Sequence, residues 1–288
     1  MTVSLSLPSI RTVIFDADGT LWRGSEPLPG LAAVFAFLQR HDVASAIVTN
    51  STVQTPARYR QKLAAFGVTS GPDEVLTASE ITAVYVANRF GAAAVFVIGE
   101  EGLRQALVDV GCRLVPDARH AADAVVVGGD RTLTYAKLKD AVLHIRAGAA
   151  FIGANPDILV PIEEGLVPEA GTLLAALQAA SGVAALVMGK PERPFFDLAL
   201  ARLNADPATT LMVGDRLETD ILGGRQAGLR TVLVLTGVDT EATIPIKGIV
   251  PDGVFGNLTD MLAAWQMQLD RQDRNHLPLR DLSPILGR

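Results

Sequence analysis

Short apolar runs rich in β-branched residues recur along this chain, and most are followed by a stretch of helical periodicity. TVIF (12–15) precedes GLAAVFAFLQRH (30–41), VASAIVTN (43–50) precedes TPARYRQKLAAFG, and EVLT runs into ASEITAVYVANRFG. Such runs lack the in–out alternation of a half-exposed strand, so they read as strands covered on both faces. Strands separated by helices pair in parallel through right-handed crossovers, which restricts the chain to an α/β fold.

The rhythm continues in two further series. AAVFVIG (93–99), CRLVP (112–116), DAVVVGG (123–129) and AAFIGAN (149–155) are strand-like, with helical stretches near 101–110 and 135–147. A third series holds ALVMGK (185–190), the helix PFFDLALARLN, TTLMVGD (209–215), the helix ILGGRQAG, RTVLVLTG (230–237) and DGVF (252–255), before a helix near 258–270 and a polar tail. Pattern alone admits two layouts: one wide sheet, or a middle domain inserted between two halves of a first.

Bulk properties exclude several classes. At 288 residues, with 49% hydrophobic and 19% charged, the chain has ample length for a packed core. A net charge of −6 and the lack of any Lys/Arg run argue against nucleic acid or an anionic membrane as main partner. The single cysteine, Cys112, opens an apolar strand and reads as core; alone it forms no intramolecular disulfide and fits a reducing compartment. MTVSLSLPSIR has no basic n-region or long apolar h-region, and no apolar run approaches the ~20 residues of a membrane span. A soluble, cytoplasmic protein is expected.

In an open parallel sheet, ligands bind beyond the carboxyl ends of the strands, so the residues following each strand matter most. TVIF ends in Asp16 and Asp18, with Gly19 permitting a turn. VASAIVTN ends in Thr49 and Asn50, ALVMG in Lys190, and TTLMVG in Asp215, with Asp220 just beyond. Taken singly, each has a plain alternative: an aspartate after a strand caps a helix or forms a turn, and Asp220 ahead of ILGGRQAG fits an N-cap equally well. Taken together, they put carboxylates, hydroxyl and amide donors and one lysine at the tips of four core strands. A hard cation such as Mg²⁺ between Asp16 and Asp215 would relieve their repulsion, leaving Lys190 and Thr49 to face phosphate oxygens.

Other chemistries fit less well. His41, His120, His144 and His276 are scattered without zinc-ligand spacing. MGKP resembles part of a P-loop, but Ala184 stands where its first glycine is needed and Pro191 where Ser or Thr is needed. Gly128–Gly129 lacks the spacing of a dinucleotide fingerprint, and no GxSxG occurs.

FDADGTLWRG, VTNST, GKPERPFF and VGDRLETDILGG, in this order, resemble the four signature motifs of the haloacid dehalogenase-like hydrolases. The segment between the second and third, with YAKLKDAVLHIRAGAAFIGANPDILVP and PEAGTLLAAL, resembles the inserted cap of the NagD-like subfamily. The resemblance implies a doubly wound, Rossmann-like parallel-sheet core with an inserted α/β cap domain. Its parts would be core over 1–78, cap over 79–182 and core again over 183–288.

It further implies a Mg²⁺-dependent phosphatase working through an aspartyl-phosphate. Asp16 would be the nucleophile and Asp18 the general acid and base. Thr49, the backbone N–H of Asn50 and Lys190 would bind the phosphoryl oxygens. Mg²⁺ would be held by Asp16, the backbone carbonyl of Asp18 and Asp215, with Asp220 direct or through water. Dehalogenases of the superfamily lack the second aspartate, so Asp18 argues against that reaction. Two residues depart from the family's pattern: Ala17, where a larger side chain is common, and Glu169, where relatives often carry Gly.

The loop with Asn155, Pro156 and Asp157 follows a cap strand, and Asn155 and Asp157 are candidates for choosing the leaving group; an Asx-turn that only shapes the loop is the alternative. The implied substrates are small phosphomonoesters: nucleotides, sugar phosphates, phosphoglycolate, glycerol phosphate or pyridoxal phosphate. A homodimer through the cap is a further family expectation. Phosphoryl transfer to an acceptor other than water, and binding of a phosphorylated ligand without turnover, remain as rival readings.

Overall fold

The computed structural model describes residues 5–162 and 164–276; the first residues of MTVSLSLPSIR and the polar tail from 277 lie outside them. Two parallel sheets organise the chain. The larger runs, from edge to edge, Gly253–Phe255, Arg230–Val234, Thr210–Gly214, Thr12–Phe15, Ala44–Thr49, Val75–Thr77. All its pairings are parallel. The chain winds outward in one direction from Thr12–Phe15 to Val75–Thr77, and in the other from Thr210–Gly214 to Gly253–Phe255. The topological switch point therefore lies between Thr12–Phe15 and Thr210–Gly214.

These strands have no solvent face. Val13 and Phe15 point into a layer with Phe37, Leu38 and Trp265. Ile14 points the other way, against Phe195, Phe196 and Met212. Each is fully buried, worth about 1.5–3 kcal/mol per large side chain. That two-sided burial is why TVIF reads as an unbroken apolar run.

The smaller sheet lies between residues 94 and 187, in the order Leu186–Val187, Ala150–Gly153, Ala124–Val127, Ala94–Ile98, Arg113–Val115, again wholly parallel. It forms the inserted cap, with its own core around Val95, Val126 and Ile152, to which buried Cys112 belongs. Helix Ala78–Phe90, started by a capping box between Thr77 and Glu80, joins the two parts. Its Ala78 and Ile81 belong to the larger sheet's core and its Ala83 and Val86 to the cap's.

One expectation is corrected. The run 185–190 is not a core strand: only Leu186–Val187 is extended in a ladder, and it pairs with Ile152 and Gly153 at the edge of the cap sheet. The two-residue strand has one neighbour and leaves Leu186 half exposed, so it is an edge piece that the chain leaves at once for the core. A boundary at 182/183 thus falls before the cap's last strand. The C-terminal helix is longer than expected, Leu258–His276. Among the described residues no helix is long and apolar enough to cross a membrane.

Candidate active site

Two neighbouring strands deliver two aspartates to the switch point. The Asp16 backbone N–H extends the ladder by donating to the Val213 carbonyl at 2.8 Å. The chain then turns sharply: Gly19 has φ +87°, and a Cβ there would come within 2.5 Å of the Asp215 carboxylate. Glycine is required on both counts. Asp215 receives the Val238 N–H on Oδ2 at 2.8 Å, while its Oδ1 is buried with no partner among the described residues.

Asp220 arrives differently. Leu217–Ile221 forms one π-helical turn ahead of the helix Leu222–Gln226, a local widening that often occurs at functional sites. The turn carries the Asp220 side chain into the core, fully buried. Its Oδ2 accepts the Arg216 backbone N–H at 3.2 Å, and its Oδ1 accepts Lys190 Nζ at 2.7 Å. It is therefore not the N-cap that its position also allowed.

Lys190 is the centre of the cluster. Its side chain is 2% exposed, and Nζ also donates to Asp16 Oδ1 at 2.6 Å and to the Val48 carbonyl at 3.4 Å. The Asn50 side chain grips its backbone from both sides: Oδ1 accepts the Lys190 N–H at 2.7 Å, and Nδ2 donates to the Lys190 carbonyl at 3.0 Å. The tip of one core strand thus fixes a lysine that arrives from the cap sheet.

Asp16, Asp215 and Asp220 bring carboxylate oxygens within 4.8 Å of one another. Three carboxylates face one ammonium, and the excess negative charge shows in the acid–base properties. Burial, with the charges of Asp220 and Asp215, pushes Asp16 well above the usual carboxylate range against the pull of Lys190. Burial and Asp220 push Asp215 up to about 7. Burial works against the Lys190 ammonium, but Asp16 and Asp220 outweigh it and hold its pKa above the ordinary lysine value. An orphaned buried carboxylate oxygen among crowded hard donors makes a donor set that suits a divalent cation.

The Asp18 carboxylate stands outside this cluster, exposed, with Oδ1 accepting the Trp22 indole N–H at 2.9 Å. Thr49 is buried, and its hydroxyl accepts the Ser51 N–H at 3.1 Å. Ala17 is fully buried.

From the cap, Asp157 reaches the seam. Its Oδ2 lies 3.5 Å from Asn50 Nδ2 and its Oδ1 3.8 Å from Arg216 Nη1. Burial raises its pKa, with Arg216 and Lys190 opposing. Asn155 is 3% exposed, and its Oδ1 accepts the Asp157 N–H at 2.8 Å, an Asx-turn that shapes the loop carrying Asp157. Glu169 precedes helix Ala170–Ser181 and packs its carboxylate against Gly129, where a Cβ would approach within 2.4 Å.

Several residues at the site give no signal in the sequence. Arg216 directly follows Asp215 in the quoted motif, and Trp22 lies within FDADGTLWRG, but neither has a chemical signature of its own. Tyr59, whose phenol is pushed up to about 12 by burial and by the Asp18 charge, lies in an ordinary helical pattern and carries no signal.

Two family models match the chain: Haloacid dehalogenase-like hydrolase over residues 13–113 and HAD-hydrolase-like over 187–261. The chain is 40% identical over 256 residues to the 5'-nucleotidase YutF of Bacillus subtilis, covering 89% of this chain and 99% of that protein. It is 35% identical over 253 residues to an acid sugar phosphatase of Staphylococcus epidermidis, covering 88% and 97%. The crystal structure of 4-nitrophenylphosphatase from Thermotoga maritima superposes with a TM-score of 0.86 at 35% identity, covering 91% of this chain and all of that one. With two sheets, an inserted cap and near-complete coverage at these identities, the chain belongs to the haloacid dehalogenase-like hydrolases, in their NagD-like branch, and is a phosphoric monoester hydrolase.

Proposed function

We propose that the protein hydrolyses small phosphomonoesters through an aspartyl-phosphate formed on Asp16. The observation that carries this reading is the position of Asp16 at the switch point, with its Oδ1 on Lys190 and the Asp215 and Asp220 carboxylates beside it. An Asp16 carboxylate oxygen attacks phosphorus, and the bond from phosphorus to the ester oxygen breaks. The leaving oxygen keeps the bonding pair and takes a proton from the Asp18 carboxyl group. Asp18, now a carboxylate, accepts a proton from the water that attacks the acyl phosphate, releasing phosphate and restoring Asp16.

Lys190, Thr49 and the Asn50 N–H stabilise charge on the transferring oxygens. The donor set fits Mg²⁺: Asp16, Asp215 and the Asp18 backbone carbonyl would hold it, with Asp220, whose oxygens accept Lys190 Nζ and the Arg216 N–H, direct or through water. When bound, the cation supplies positive charge against the carboxylate excess and polarises the phosphoryl oxygens. Asp157, on the loop that Asn155 shapes and paired with Arg216, is assigned to leaving-group selection. Sugar phosphates and nucleotides are the first substrates to try, on the names of the relatives.

The test is phosphate release from a panel of sugar phosphates, nucleotides and small acid phosphates, with Mg²⁺ and with chelator, for the protein and for Asp16→Asn. Mg²⁺-dependent release that Asp16→Asn abolishes is the expected result. Retained release in Asp16→Asn overturns the nucleophile assignment. Substrate loss without free phosphate points to another acceptor, and tight binding without loss to a binding protein.

A further inference from the structure

Asp18 is bound by Trp22, to which the reaction scheme above gives no part. Asp18 is exposed, on a loop, and a free carboxylate there would sample several rotamers. Trp22 is fully buried, and its indole N–H is spent on Asp18 Oδ1 at 2.9 Å. The backbone closes the same loop: Gly19 N–H donates to the Trp22 carbonyl at 2.8 Å, and Leu21 N–H to the Ala17 carbonyl at 2.9 Å.

The indole itself is held on several sides. Tyr59 lies 6.0 Å and Phe66 6.2 Å from it, centroid to centroid. The Lys62 ammonium sits 4.3 Å over the ring, tied to the Gly24 carbonyl at 2.7 Å. A cation over the ring face and packed aromatic neighbours leave the indole little freedom to turn.

We infer that Trp22 is a positioning residue for the general acid: its N–H fixes Asp18 Oδ1, so that the transferable proton is carried on Oδ2, toward the leaving oxygen. This rests on the assignment of Asp18 above. The balance of the step is unchanged: Oδ2 gives its proton to the leaving oxygen as the P–O bond breaks, and the indole keeps its own proton throughout. A hydrogen bond kept through the step contributes by orientation, which is where a small displacement costs most.

The test separates leaving groups. On kcat/KM, which reports steps up to the first irreversible one, an alkyl phosphate needs the proton from Asp18, whereas p-nitrophenolate departs as a stabilised anion. Trp22→Phe, which keeps a ring and removes the N–H, is expected to lower kcat/KM for alkyl phosphates by about tenfold and for p-nitrophenyl phosphate by less than about twofold. Asp18→Ala should show the same contrast, larger.

Equal losses for both leaving groups in Trp22→Phe, or no loss, overturn the role of Trp22 while Asp18→Ala keeps its contrast. No contrast in Asp18→Ala overturns the assignment of Asp18 itself. If Trp22→Phe does not fold, the indole N–H signals of the two tryptophans decide in ¹H–¹⁵N spectra. The Trp22 signal should move in Asp18→Ala while that of Trp265 stays, and an unmoved Trp22 signal overturns the inference.

Discussion

Both sheets of this molecule have a topological switch point, and the two are used in opposite ways. In the core it lies between Thr12–Phe15 and Thr210–Gly214, and the chain leaves those strands on aspartates. In the cap it lies between Ala94–Ile98 and Ala124–Val127, and the chain leaves those on Gly99 and on Gly128–Gly129. The cap crevice is filled by the core itself. Gly129 N–H donates to Thr52 Oγ1 at 2.8 Å, Gly102 N–H donates to the Val53 carbonyl at 3.1 Å, and a Cβ on Gly128 would meet Thr52 Oγ1 at 2.8 Å. The rule that ligands bind at switch points therefore names two places, and chemistry chooses between them. One crevice gathers three carboxylates around one ammonium; at the other, beside the single carboxylate of Glu169, the backbone is already paired with a neighbouring core loop.

The sharpest way to break this comparison is to remove the charge that keeps the core crevice together. Lys190→Met keeps the length of the side chain and leaves Asp16 and Asp220 without their ammonium. Breaking a buried pair in this way costs about 3–5 kcal/mol, and loss of a charge-stabilising group lowers kcat by about 100-fold or more. Urea unfolding and steady-state kinetics read the two effects. A variant as stable and as active as its parent would show that the crevice is not organised by charge.

The next effect is one of pH. Asp215 titrates near 7 in the folded chain, because of burial and then the Asp220 charge, against about 4 when unfolded. A carboxylate with its folded pKa raised stabilises below the unfolded pKa and loses that contribution as pH rises through the folded one. With chelator present, the Asp215 contribution is thus expected to fall between about pH 4 and 7, by a few kcal/mol. The difference in unfolding free energy between the protein and Asp215→Asn isolates it. Mg²⁺, competing with the proton, should remove most of the slope. A difference that stays flat across that range, in chelator, would mean that the crowding is relieved without a cation.

Much of this was legible in the residues. Two-sided strand burial made TVIF and TTLMVG readable as core strands, because few other structures tolerate such runs; their adjacency came only with the pairing. Their polar tips followed from the rule for strand ends. Lys190 was identified for its charge although its strand was assigned to the wrong sheet: the apolar pattern of ALVMG fits either sheet, and only pairing decides. The side-chain role of Asn50 was not legible, since its grip on Lys190 joins positions 140 residues apart. Nor was the π-helical turn at Leu217–Ile221, where local pattern suggested a cap and burial of Asp220 prevailed. Trp22 and Tyr59 were hidden for the opposite reason: aromatic residues in apolar surroundings look like core, and both are core that also touches the site.

The smallest effect probes the cap side. Thr52 is fully buried, and its hydroxyl is the acceptor for Gly129 N–H, so Thr52→Val keeps the shape of the plug and removes only that acceptor. A buried N–H left unpaired costs about 1–3 kcal/mol, read as a lower midpoint in urea at unchanged slope. If the cap crevice is only a socket for the core, kcat should hold within about twofold for every leaving group, since Thr52 has no part in the proton transfers of the proposed reaction. A loss of kcat that varied with the leaving group would mean that the socket also sets the distance between cap and reacting phosphate. The two switch points would then be parts of one site, and the contrast between a charged crevice and a plugged one would have to be redrawn as a division of labour.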